Sequence, residues 1–374
     1  MVLLIGNYRP DQQQSMQRFG DMMLQGLTTG GIEAELVCPE PVLGNLPLPG
    51  RVFSKWLGYV DKYILFPFRL RRKLSKQPDV VHICDHSNAV YTRRCRPAPV
   101  LITCHDLLAV RGALGEETDC PASVTGRILQ RWILRGLRRA DVIACASRAT
   151  EADAQRLVGT TGHPELVVVP LGLNYEYKKL STEVARLRLA QLQSLDLSLP
   201  FVLHVGSNLR RKNRGAVLRI VALVKEKWKG QVVFAGDPLE AELLALAEQL
   251  GVKDRIRQVA NASSESLEAL YNCAVALLYP SRYEGFGWPV IEAQACGCPV
   301  ICSTSGPLPE AAGDAGLYHA LDDEAGFATD LLRLADPGER AVWSEKSSSN
   351  AERFSAKKMI AHYIDLYRRL GAEV

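Results

Sequence analysis

The chain has 374 residues, of which 47% are hydrophobic and 23% charged, and its formal net charge at pH 7 is +4. A chain of this length can form two domains with a core each, and the composition is that of a globular protein. No apolar run approaches the roughly 18 residues of a transmembrane helix, and so small a positive charge does not by itself indicate a nucleic-acid partner.

Two further features of the sequence bear on the compartment. The apolar run at residues 2–5 is too short for a signal peptide and has no basic region before it. The ten cysteines show no paired framework, and several lie in apolar runs, where cysteine behaves as a small hydrophobe. These patterns predict a protein of the reducing cytoplasm.

The first strand–helix unit is predicted from an apolar strand over Val2–Gly6 and a helix over about Met16–Leu27. Ser15 precedes this helix, where its hydroxyl can accept a backbone N–H and act as the N-cap. A second strand is predicted over Ile32–Cys38.

Residues 51–76 differ from the rest of the chain because aromatic and basic side chains interleave there and Asp61 is the only acid. An amphipathic element of this composition is typical of a surface that lies on an anionic membrane. An ordinary helix with an aromatic core face and a solvated charged face would show the same pattern. A second basic helix, residues 127–139 with Trp132, adds to the membrane interpretation. No nucleic-acid-binding motif accompanies either helix.

Polar side chains follow two buried strands that are predicted over Asp79–Cys84 and Val100–Thr103. His105 and Asp106 come directly after the second strand, at the edge where open parallel sheets place their ligands. A buried structural histidine is the alternative, and Asp106 could orient the histidine ring. Residues 85–87 end the preceding strand in the same way and are further candidates for contact with an acceptor.

A second strand–helix series begins with Phe201–Val205, after a polar segment at residues 175–199 that we interpret as a linker with a short helix. Between this strand and the next helix lie Arg210, Arg211 and Lys212. Consecutive cations at a helix N-terminus oppose its dipole unless an anion offsets them, so a phosphate is the expected occupant. A solvated basic run is the alternative.

The densest group of signals lies at residues 275–303. The apolar run Val275–Tyr279 predicts a strand that is buried on both faces, and the polar turn Ser281–Gly287 follows it. Pro289 suits the first position of a helix, and Gly297 is placed to end that helix after about two turns. The segment therefore predicts a strand, a loop, a helix and a further strand.

Two carboxylates bracket this turn, Glu284 in the loop and Glu292 in the predicted first turn of the helix. The glycines at 285 and 287 leave backbone N–H groups free to face a diphosphate or a sugar hydroxyl. A carboxylate beside such a turn would repel phosphate, so Glu284 is expected to face a pair of sugar hydroxyls. For Glu292 alone, a favourable interaction with the helix dipole is the simpler interpretation.

The motif around these carboxylates resembles the signature of the retaining GT-B glycosyltransferases of family 4, which is EGFG-x-P-x-x-E-A-x-A-x-G-x-P-V-I. This sequence reads EGFGWP over residues 284–289, then Glu292-Ala293, Ala295, Gly297 and Pro299-Val300-Ile301. Trp288 stands where leucine is more common.

The resemblance implies an α/β protein with the GT-B architecture, in which two Rossmann-like doubly wound domains face each other across a cleft. Residues 1–178 would form an N-terminal acceptor-binding domain, and residues 179–354 a C-terminal nucleotide-sugar-binding domain. The terminal helix, residues 355–371, would pack back onto the first domain.

The resemblance also implies roles for individual residues. The run Arg211-Lys212-Asn213 matches the R-K-N of the family, which binds the donor diphosphate. Glu284 would hold hydroxyls of the sugar, Glu292 the ribose, and His105 would line the sugar site. The implied catalytic residues are His105, Glu284 and Lys212, and the implied donor-binding residues are Arg211, Lys212, Gly206, Gly285, Phe286, Gly287 and Glu292.

Gln14 and Ser15 stand where the first loop of the family reaches the donor phosphates, although they lack its pair of glycines. They and Asp106 are therefore expected to contact donor or acceptor, and plain helix capping is the alternative for the first two.

The implied function is transfer of a hexose from a nucleotide diphosphate sugar to a hydroxyl acceptor with retention of configuration, in polysaccharide or glycoconjugate biosynthesis. We expect no metal or other cofactor, because Arg211, Lys212 and the loop amides would offset the departing diphosphate charge. A GT-B sugar-nucleotide epimerase, a non-catalytic sugar-nucleotide-binding module and a phosphorylase of the same fold stay open. The expected partners are a nucleotide sugar, an unidentified acceptor (glycan, lipid-linked or small molecule) and an anionic membrane at its inner face, with no nucleic acid.

Overall fold

A computed structural model describes residues 1–11, 13–45, 51–159, 162–192 and 195–373, and for residues 51–55 it describes the backbone only. The chain forms two compact units. The first comprises Met1–Asn174 together with Ala356–Val374, and the second comprises Tyr175–Ser355. The division falls shortly before the predicted boundary at 178–179, and the last helix belongs to the first unit.

The first unit is built on a parallel sheet of six strands. These are β1 (Val2–Ile5), β2 (Ala34–Val37), β3 (Val80–Ile83), β4 (Val100–Cys104), β5 (Val142–Cys145) and β6 (Glu165–Val168). Their order across the sheet is β2-β1-β3-β4-β5-β6, and neighbouring strands are parallel. The central strands are buried along their whole length, as expected where helices cover both faces of a sheet.

Among its described residues, this unit has seven α-helices before the second unit begins in the chain. They are α1 (Gln14–Thr29), α2 (Arg51–Val60), α3 (Phe66–Leu74), α4 (Thr92–Cys95), α5 (Leu108–Ala113), α6 (Val124–Leu137) and α7 (Arg148–Val158). A π-helical turn, Asp61–Leu65, connects α2 directly to α3, so the predicted amphipathic element is helical from Arg51 to Leu74.

Asp61, the only acid of that element, is buried. Its carboxylate accepts hydrogen bonds from the backbone N–H groups of Leu43 and Gly44 and from the Tyr8 hydroxyl, each at 2.9 Å. The carboxylate therefore fixes the preceding loop to the helix and is withdrawn from the surface. The predicted contributions of the side chains of Arg51, Phe53 and Lys55 lie outside the described residues.

The second unit is built on another parallel sheet of six strands. These are β7 (Phe201–Gly206), β8 (Gln231–Gly236), β9 (Ile256–Val259), β10 (Leu277–Tyr279), β11 (Val300–Ser303) and β12 (Gly316–His319). Their order is β12-β11-β10-β7-β8-β9, and neighbouring strands are parallel. The helices are α8 (Thr182–Leu189), α9 (Arg214–Val224), α10 (Ala241–Gln249), α11 (Ser264–Cys273), α12 (Trp288–Ala295), α13 (Leu308–Ala312), α14 (Glu324–Ala335) and α15 (Pro337–Ala351).

The last helix, α16 (Ala356–Arg369), packs in the first unit. Its Tyr367 hydroxyl lies 2.7 Å from Nδ1 of His82 on β3, and its Tyr363 hydroxyl lies 2.8 Å from the Thr103 hydroxyl on β4. His82 Nε2 lies 2.8 Å from the same threonine hydroxyl. A buried polar network thus connects α16 to strands of the first sheet.

Two parallel sheets with helices on their faces confirm the predicted α/β, Rossmann-like GT-B fold class. Among the described residues, no helix is both long enough and apolar enough to cross a membrane.

Candidate active site

The residues of interest in the second unit lie where the strand order of its sheet reverses. Strands β7 and β10 are neighbours there, although they are far apart in the chain. The segments that leave their carboxyl ends run in opposite directions and open a crevice, which is where doubly wound sheets bind ligands. The predicted turns 206–213 and 281–287 lie in these two segments.

Lys212 and Glu284 meet at this point, although they are separated by 72 residues in the chain. Both are buried, with 7% and 6% of their surface exposed. The Lys212 ammonium donates to Oε1 of Glu284 at 2.8 Å and to the hydroxyl of Tyr279, the last residue of β10. Tyr279 was not singled out from the sequence, because it reads as the end of an apolar strand.

Arg211 supplies a second cation to the same carboxylate. Its guanidinium donates to Oε2 of Glu284 at 2.6 Å and to the backbone carbonyl of Tyr283 at 3.1 Å. The backbone carbonyl of Arg211 in turn accepts from the N–H of Arg282 at 2.7 Å. The two turns are therefore joined by side-chain and backbone contacts.

The electrostatics of this group follow from its burial. Burial would raise the pKa of the Glu284 carboxyl, but the charges of Lys212 and Arg211 lower it to about 2. Burial also lowers the pKa of the Lys212 ammonium, against the attraction of Glu284. At neutral pH Glu284 is therefore a carboxylate with one oxygen on each cation.

Two glycines permit this arrangement. A Cβ on Gly206 would lie 3.1 Å from Cδ and 3.2 Å from Cε of Lys212, so the lysine stem passes directly over this residue. Gly287 caps α12 with a φ of +108°, and a Cβ there would lie 2.9 Å from Leu308. Gly285 lies in the same loop, and its predicted donor contact stays a prediction.

The side chain of Phe286 is directed to packing. Its ring is buried and lies edge-on to Phe354, with ring centroids 5.6 Å apart. A donor contact from this residue would therefore use its backbone.

Glu292 lies in the second turn of α12, so its predicted place in the first turn was wrong. The helix begins at Trp288 because Gly287 adopts the left-handed conformation that starts it. The buried carboxylate accepts from the Tyr271 hydroxyl at 2.9 Å. An interaction with the helix N-terminus does not account for this residue.

Arg214 is a buried cation that the sequence did not distinguish from its neighbours. Its guanidinium donates to the carbonyls of Gly206 and Asp237 and to the side chain of Asn208. It therefore holds the turns after β7 and β8 together, whereas Arg211 and Lys212 contact Glu284. The sequence of basic residues at 210–214 does not indicate which of them contacts Glu284 and which joins the two turns.

In the first unit, His105 follows β4 and is buried. Its Nε2 lies 3.0 Å from the backbone carbonyl of Cys84, and its ring lies edge-on to Phe19 at 4.9 Å. Burial lowers the pKa of the imidazole, so the ring is neutral at pH 7. A neutral ring that donates through Nε2 presents Nδ1 as an acceptor, and this atom has no hydrogen-bond partner among the described residues.

Asp106 does not orient this ring, contrary to the expectation. Its carboxylate accepts from the backbone N–H of Leu108 at 3.0 Å, at the start of α5. The ring is held instead by the Cys84 carbonyl, which the neighbouring strand brings within reach. Contact of Asp106 with donor or acceptor stays a prediction.

Gln14 and Ser15 are exposed residues of the first turn of α1. The prediction of Ser15 as the N-cap was wrong, because the helix already begins at Gln14 and Gln13 holds the cap position without a side-chain cap bond. Their contact with a substrate stays a prediction.

A buried polar cluster lies where β1 and β3 end. The Asp85 carboxylate accepts from Asn7 Nδ2 at 2.6 Å and from the Ser87 hydroxyl, and it lies 3.1 Å from Nδ1 of His86. Although burial acts against both charges, the Asp85 pKa is lowered and the His86 pKa is raised, because the two groups favour each other. Residues 85–87 were predicted from the sequence as candidates for the site, but Asn7 was not. Its position two residues after β1, at the same edge of the sheet, could have identified it.

Within the described ranges, no three His, Cys, Asp or Glu side chains are grouped closely enough to hold an ion.

Comparison with known proteins identifies the family of this chain. Residues 190–346 match the family model described as "Glycosyl transferases group 1", and residues 16–177 match "Glycosyltransferase Family 4". Each match covers most of one unit.

Two curated relatives have similar sequences. An O-antigen chain mannosyltransferase B of Escherichia coli is 31% identical over 175 residues, which are 46% of each chain. A D-inositol 3-phosphate glycosyltransferase of Acidothermus cellulolyticus is 31% identical over 330 residues, 81% of this chain and 70% of that protein. The chain thus spans under half of the first relative and about two thirds of the second.

Solved structures show the same fold. Sucrose-phosphate synthase from Thermosynechococcus elongatus has a TM-score of 0.76 at 22% identity, covering 99% of this chain and 98% of that one. WaaG, a glycosyltransferase involved in lipopolysaccharide biosynthesis, has a TM-score of 0.74 at 16% identity, covering 98% and 99%. Anabaena HepE in complex with UDP-glucose has a TM-score of 0.67 at 16% identity, also covering 98% and 99%.

The matched family models and the fold of the two sheets together define a GT-B glycosyltransferase. With a relative 31% identical over 70% of its length and both family models matched, the chain belongs to glycosyltransferase family 4, the group 1 glycosyl transferases.

Proposed function

We propose that this glycosyltransferase moves a hexose from a nucleotide diphosphate sugar to a hydroxyl acceptor and retains the anomeric configuration. The observation that carries the proposal is the pair of cations, Lys212 and Arg211, on the single carboxylate of Glu284 at the strand reversal. Two positive charges suit a diphosphate, and a carboxylate with unused lone pairs suits sugar hydroxyls.

Donor binding would redistribute these contacts. The diphosphate would take N–H donors of Lys212 and Arg211, with backbone amides of the loop at 285–287 adding to them. Each oxygen of Glu284 uses one acceptor position for a cation, so the remaining positions can accept hydroxyls of the transferred sugar. Glu292 would hold the ribose, with Tyr271 fixing its orientation.

The transfer step needs a base for the acceptor hydroxyl and a stabiliser for the leaving diphosphate. The two cations and the amides would stabilise the leaving group. A leaving phosphate oxygen on the same face of the sugar would take the acceptor proton, which accounts for retention without a covalent intermediate. His105, neutral and with Nδ1 as an acceptor, would bind a sugar hydroxyl. The proposal includes no metal.

The test is incubation with candidate donors and acceptors, followed by NMR of the product. UDP-hexoses come first, because HepE of the same fold was solved with UDP-glucose. Acceptors come from the names of the relatives, an inositol phosphate and an O-antigen chain. Release of nucleoside diphosphate with a glycoside of the donor's anomeric configuration supports the proposal.

Other products would contradict it. A glycoside of inverted configuration refutes retention. An altered sugar nucleotide without an acceptor and without nucleoside diphosphate release indicates an epimerase, and binding without turnover indicates a binding module. A Lys212→Ala variant serves as the control for activity from contaminating enzymes.

We also propose that helices α2, α3 and α6 contact an anionic membrane. Trp56 and Phe68 are 55% and 72% exposed, and α6 exposes an apolar row at positions 124, 128 and 132. The rings of Tyr63 and Trp132 lie 5.3 Å apart and join the two surfaces. Exposed aromatic side chains among basic residues favour a lipid interface.

The charge of this surface is smaller than its sequence indicated. Arg69 pairs with Glu40, and Lys73 and Lys76 pair with Glu35. Both glutamates precede the helical element in the chain. The charge predicted from residues 51–76 alone therefore does not include them.

Liposome sedimentation tests the membrane proposal. The protein should bind anionic vesicles at low salt and mostly leave them near 0.5 M, where screening acts within about 4–5 Å. Arg71→Ser with Arg72→Ser should weaken binding, at about 1 kcal/mol per residue, and Lys227→Ser with Lys253→Ser is the matched control of equal charge. The proposal is refuted if the protein does not bind the vesicles, or if its binding changes neither with salt nor in the Arg71→Ser, Arg72→Ser variant.

A further inference from the structure

An open cavity of about 540 Å³ lies in the second unit, away from the strand reversal. Its wall includes Phe201 at the start of β7, Val275 just before β10 and Pro299 just before β11. Parallel strands all begin at one edge of their sheet and end at the other, and a strand of four to six residues spans roughly 13–20 Å. The cavity therefore lies at the opposite edge of the sheet from Lys212 and Glu284.

Three basic side chains line this cavity. Lys179 comes from the segment before α8, Arg186 from α8 itself, and Arg340 from α15. None of the described residues that line the cavity is acidic. In a chain with 45 basic and 41 acidic residues, a concave surface with three cations and no acid is an unbalanced charge distribution.

These cations differ from basic residues nearby. Arg188 pairs with Glu268 at 2.6 Å, and Arg219 pairs with Glu324. Within the part of the chain that the structure describes, Lys179, Arg186 and Arg340 form no ion pair. Arg186 donates to the Leu197 carbonyl at 2.7 Å, which fixes its guanidinium while further N–H donors of the five can face the cavity.

Lys179 is exposed, and its stem passes close to Gly297. This glycine has a φ of +70°, and a Cβ there would lie 2.2 Å from Cε of Lys179 and 2.8 Å from Oγ of Ser344. The stem of Lys179 therefore crosses the chain directly after α12, beside the hydroxyl of Ser344. Both groups line the cavity.

We propose that this cavity binds a phosphorylated small molecule at a site separate from the donor site. Two guanidinium groups supply planar, paired donors that match phosphate oxygens, and the ammonium supplies a point charge. The serine hydroxyl adds a neutral donor. The cavity volume accommodates a phosphate with an organic group attached, so the occupant is a phosphate ester and the phosphate group is what the three cations recognise.

Pyridoxal 5′-phosphate is a suitable probe, because it carries a phosphate and an aldehyde. The Lys179 amine adds to the aldehyde and loses water to form an imine, which borohydride then reduces to a stable amine that peptide mass spectrometry locates. Lys179 should be modified at probe concentrations that leave the exposed Lys227 unmodified. Inorganic phosphate should protect Lys179, and potassium chloride at equal ionic strength should not.

Variants locate the phosphate contacts. Arg186→Gln with Arg340→Gln should reduce modification of Lys179 at limiting probe by about 100-fold or more, since each of the two charge-assisted contacts changes Kd by about tenfold or more. Arg340→Lys keeps the charge but loses the paired donors. Modification of Lys179 in this variant should therefore be lower than in the wild type and higher than in the double variant. Modification of Lys227 is the internal control, and thermal melting checks that each variant is folded.

Three results would each overturn the proposal. These are modification of Lys179 that does not exceed that of Lys227, modification that inorganic phosphate does not suppress, and equal modification in the wild type and the folded double variant. The same peptide digest also shows whether Lys212 is modified. Binding of the probe at the donor site is therefore measured separately from binding at the proposed cavity.

Discussion

Replacement of Lys212 by alanine should weaken the donor and the free nucleoside diphosphate together and leave nucleoside affinity nearly unchanged. The ammonium is buried and lies 2.8 Å from Glu284, so a diphosphate in its place would receive a charge-assisted contact. Such a contact contributes about 1.5–3 kcal/mol, which corresponds to about a 10- to 150-fold change in Kd.

The same change also affects folding. Removal of one partner of a buried ion pair costs about 3–5 kcal/mol when the other is left alone. Here Arg211 stays 2.6 Å from Glu284, so we expect a cost at the lower end of that range. Lys212→Met keeps most of the stem volume and separates the loss of charge from the loss of packing.

Calorimetry with nucleoside diphosphate and with nucleoside measures the effect, after thermal melting has shown that each variant is folded. Arg210→Ala is the matched control, because Arg210 is an exposed cation in the same turn. Unchanged diphosphate affinity in a folded Lys212→Ala protein would remove this residue from the donor site. An equal loss of nucleoside affinity would show that the variant disturbs the whole site.

Three further predictions concern the two carboxylates and the charge of the site. Glu284→Gln should lower turnover more than nucleotide affinity, whereas Glu292→Gln should mainly weaken nucleotide; equal affinity losses with turnover intact in both would contradict these roles. Because the pKa of Glu284 is lowered to about 2 in the folded protein, its stabilising contribution is present above pH about 4.5 and is lost as pH falls towards 2. The difference in melting temperature between wild type and Glu284→Gln should therefore shrink over that range, and a constant difference would argue against the ion pair. Activity should survive exhaustive chelation, because the charge of the leaving group is assigned to Arg211 and Lys212; loss with EDTA that magnesium restores would refute this.

The sequence was most informative where one segment contains the whole signal. The apolar run before Ser281, the glycines of the turn and Gly297 fix the succession of strand, loop and helix at 275–303, because each element depends on residues next to it. Strand ends followed by polar residues, as at His105, are local signals of the same kind.

Contacts between distant segments could not be predicted in this way. The two cations on Glu284 come from a turn that the strand order places beside it, and Tyr271 reaches Glu292 from another helix. Asp106 accepts from the backbone N–H of Leu108, and the Cys84 carbonyl from the neighbouring strand holds the histidine ring. In each case the partner is brought into reach by the fold, and nothing in the local sequence identifies it.

The buried polar network of His82, Thr103, Tyr363 and Tyr367 has a consequence for biosynthesis. Residues 175–355 form a contiguous unit and can acquire all their contacts as soon as they have left the ribosome. The earlier unit cannot, since two of its strands bond to tyrosines that are translated after residue 355. Until then, His82 and Thr103 can contact each other, but His82 Nδ1 and one hydrogen-bonding position of the Thr103 hydroxyl lack their tyrosine partners. A buried polar group without a partner costs about 1–3 kcal/mol. The first unit therefore gains its last contacts only after the second unit has been synthesised, although the N-terminal domain of a chain usually folds first.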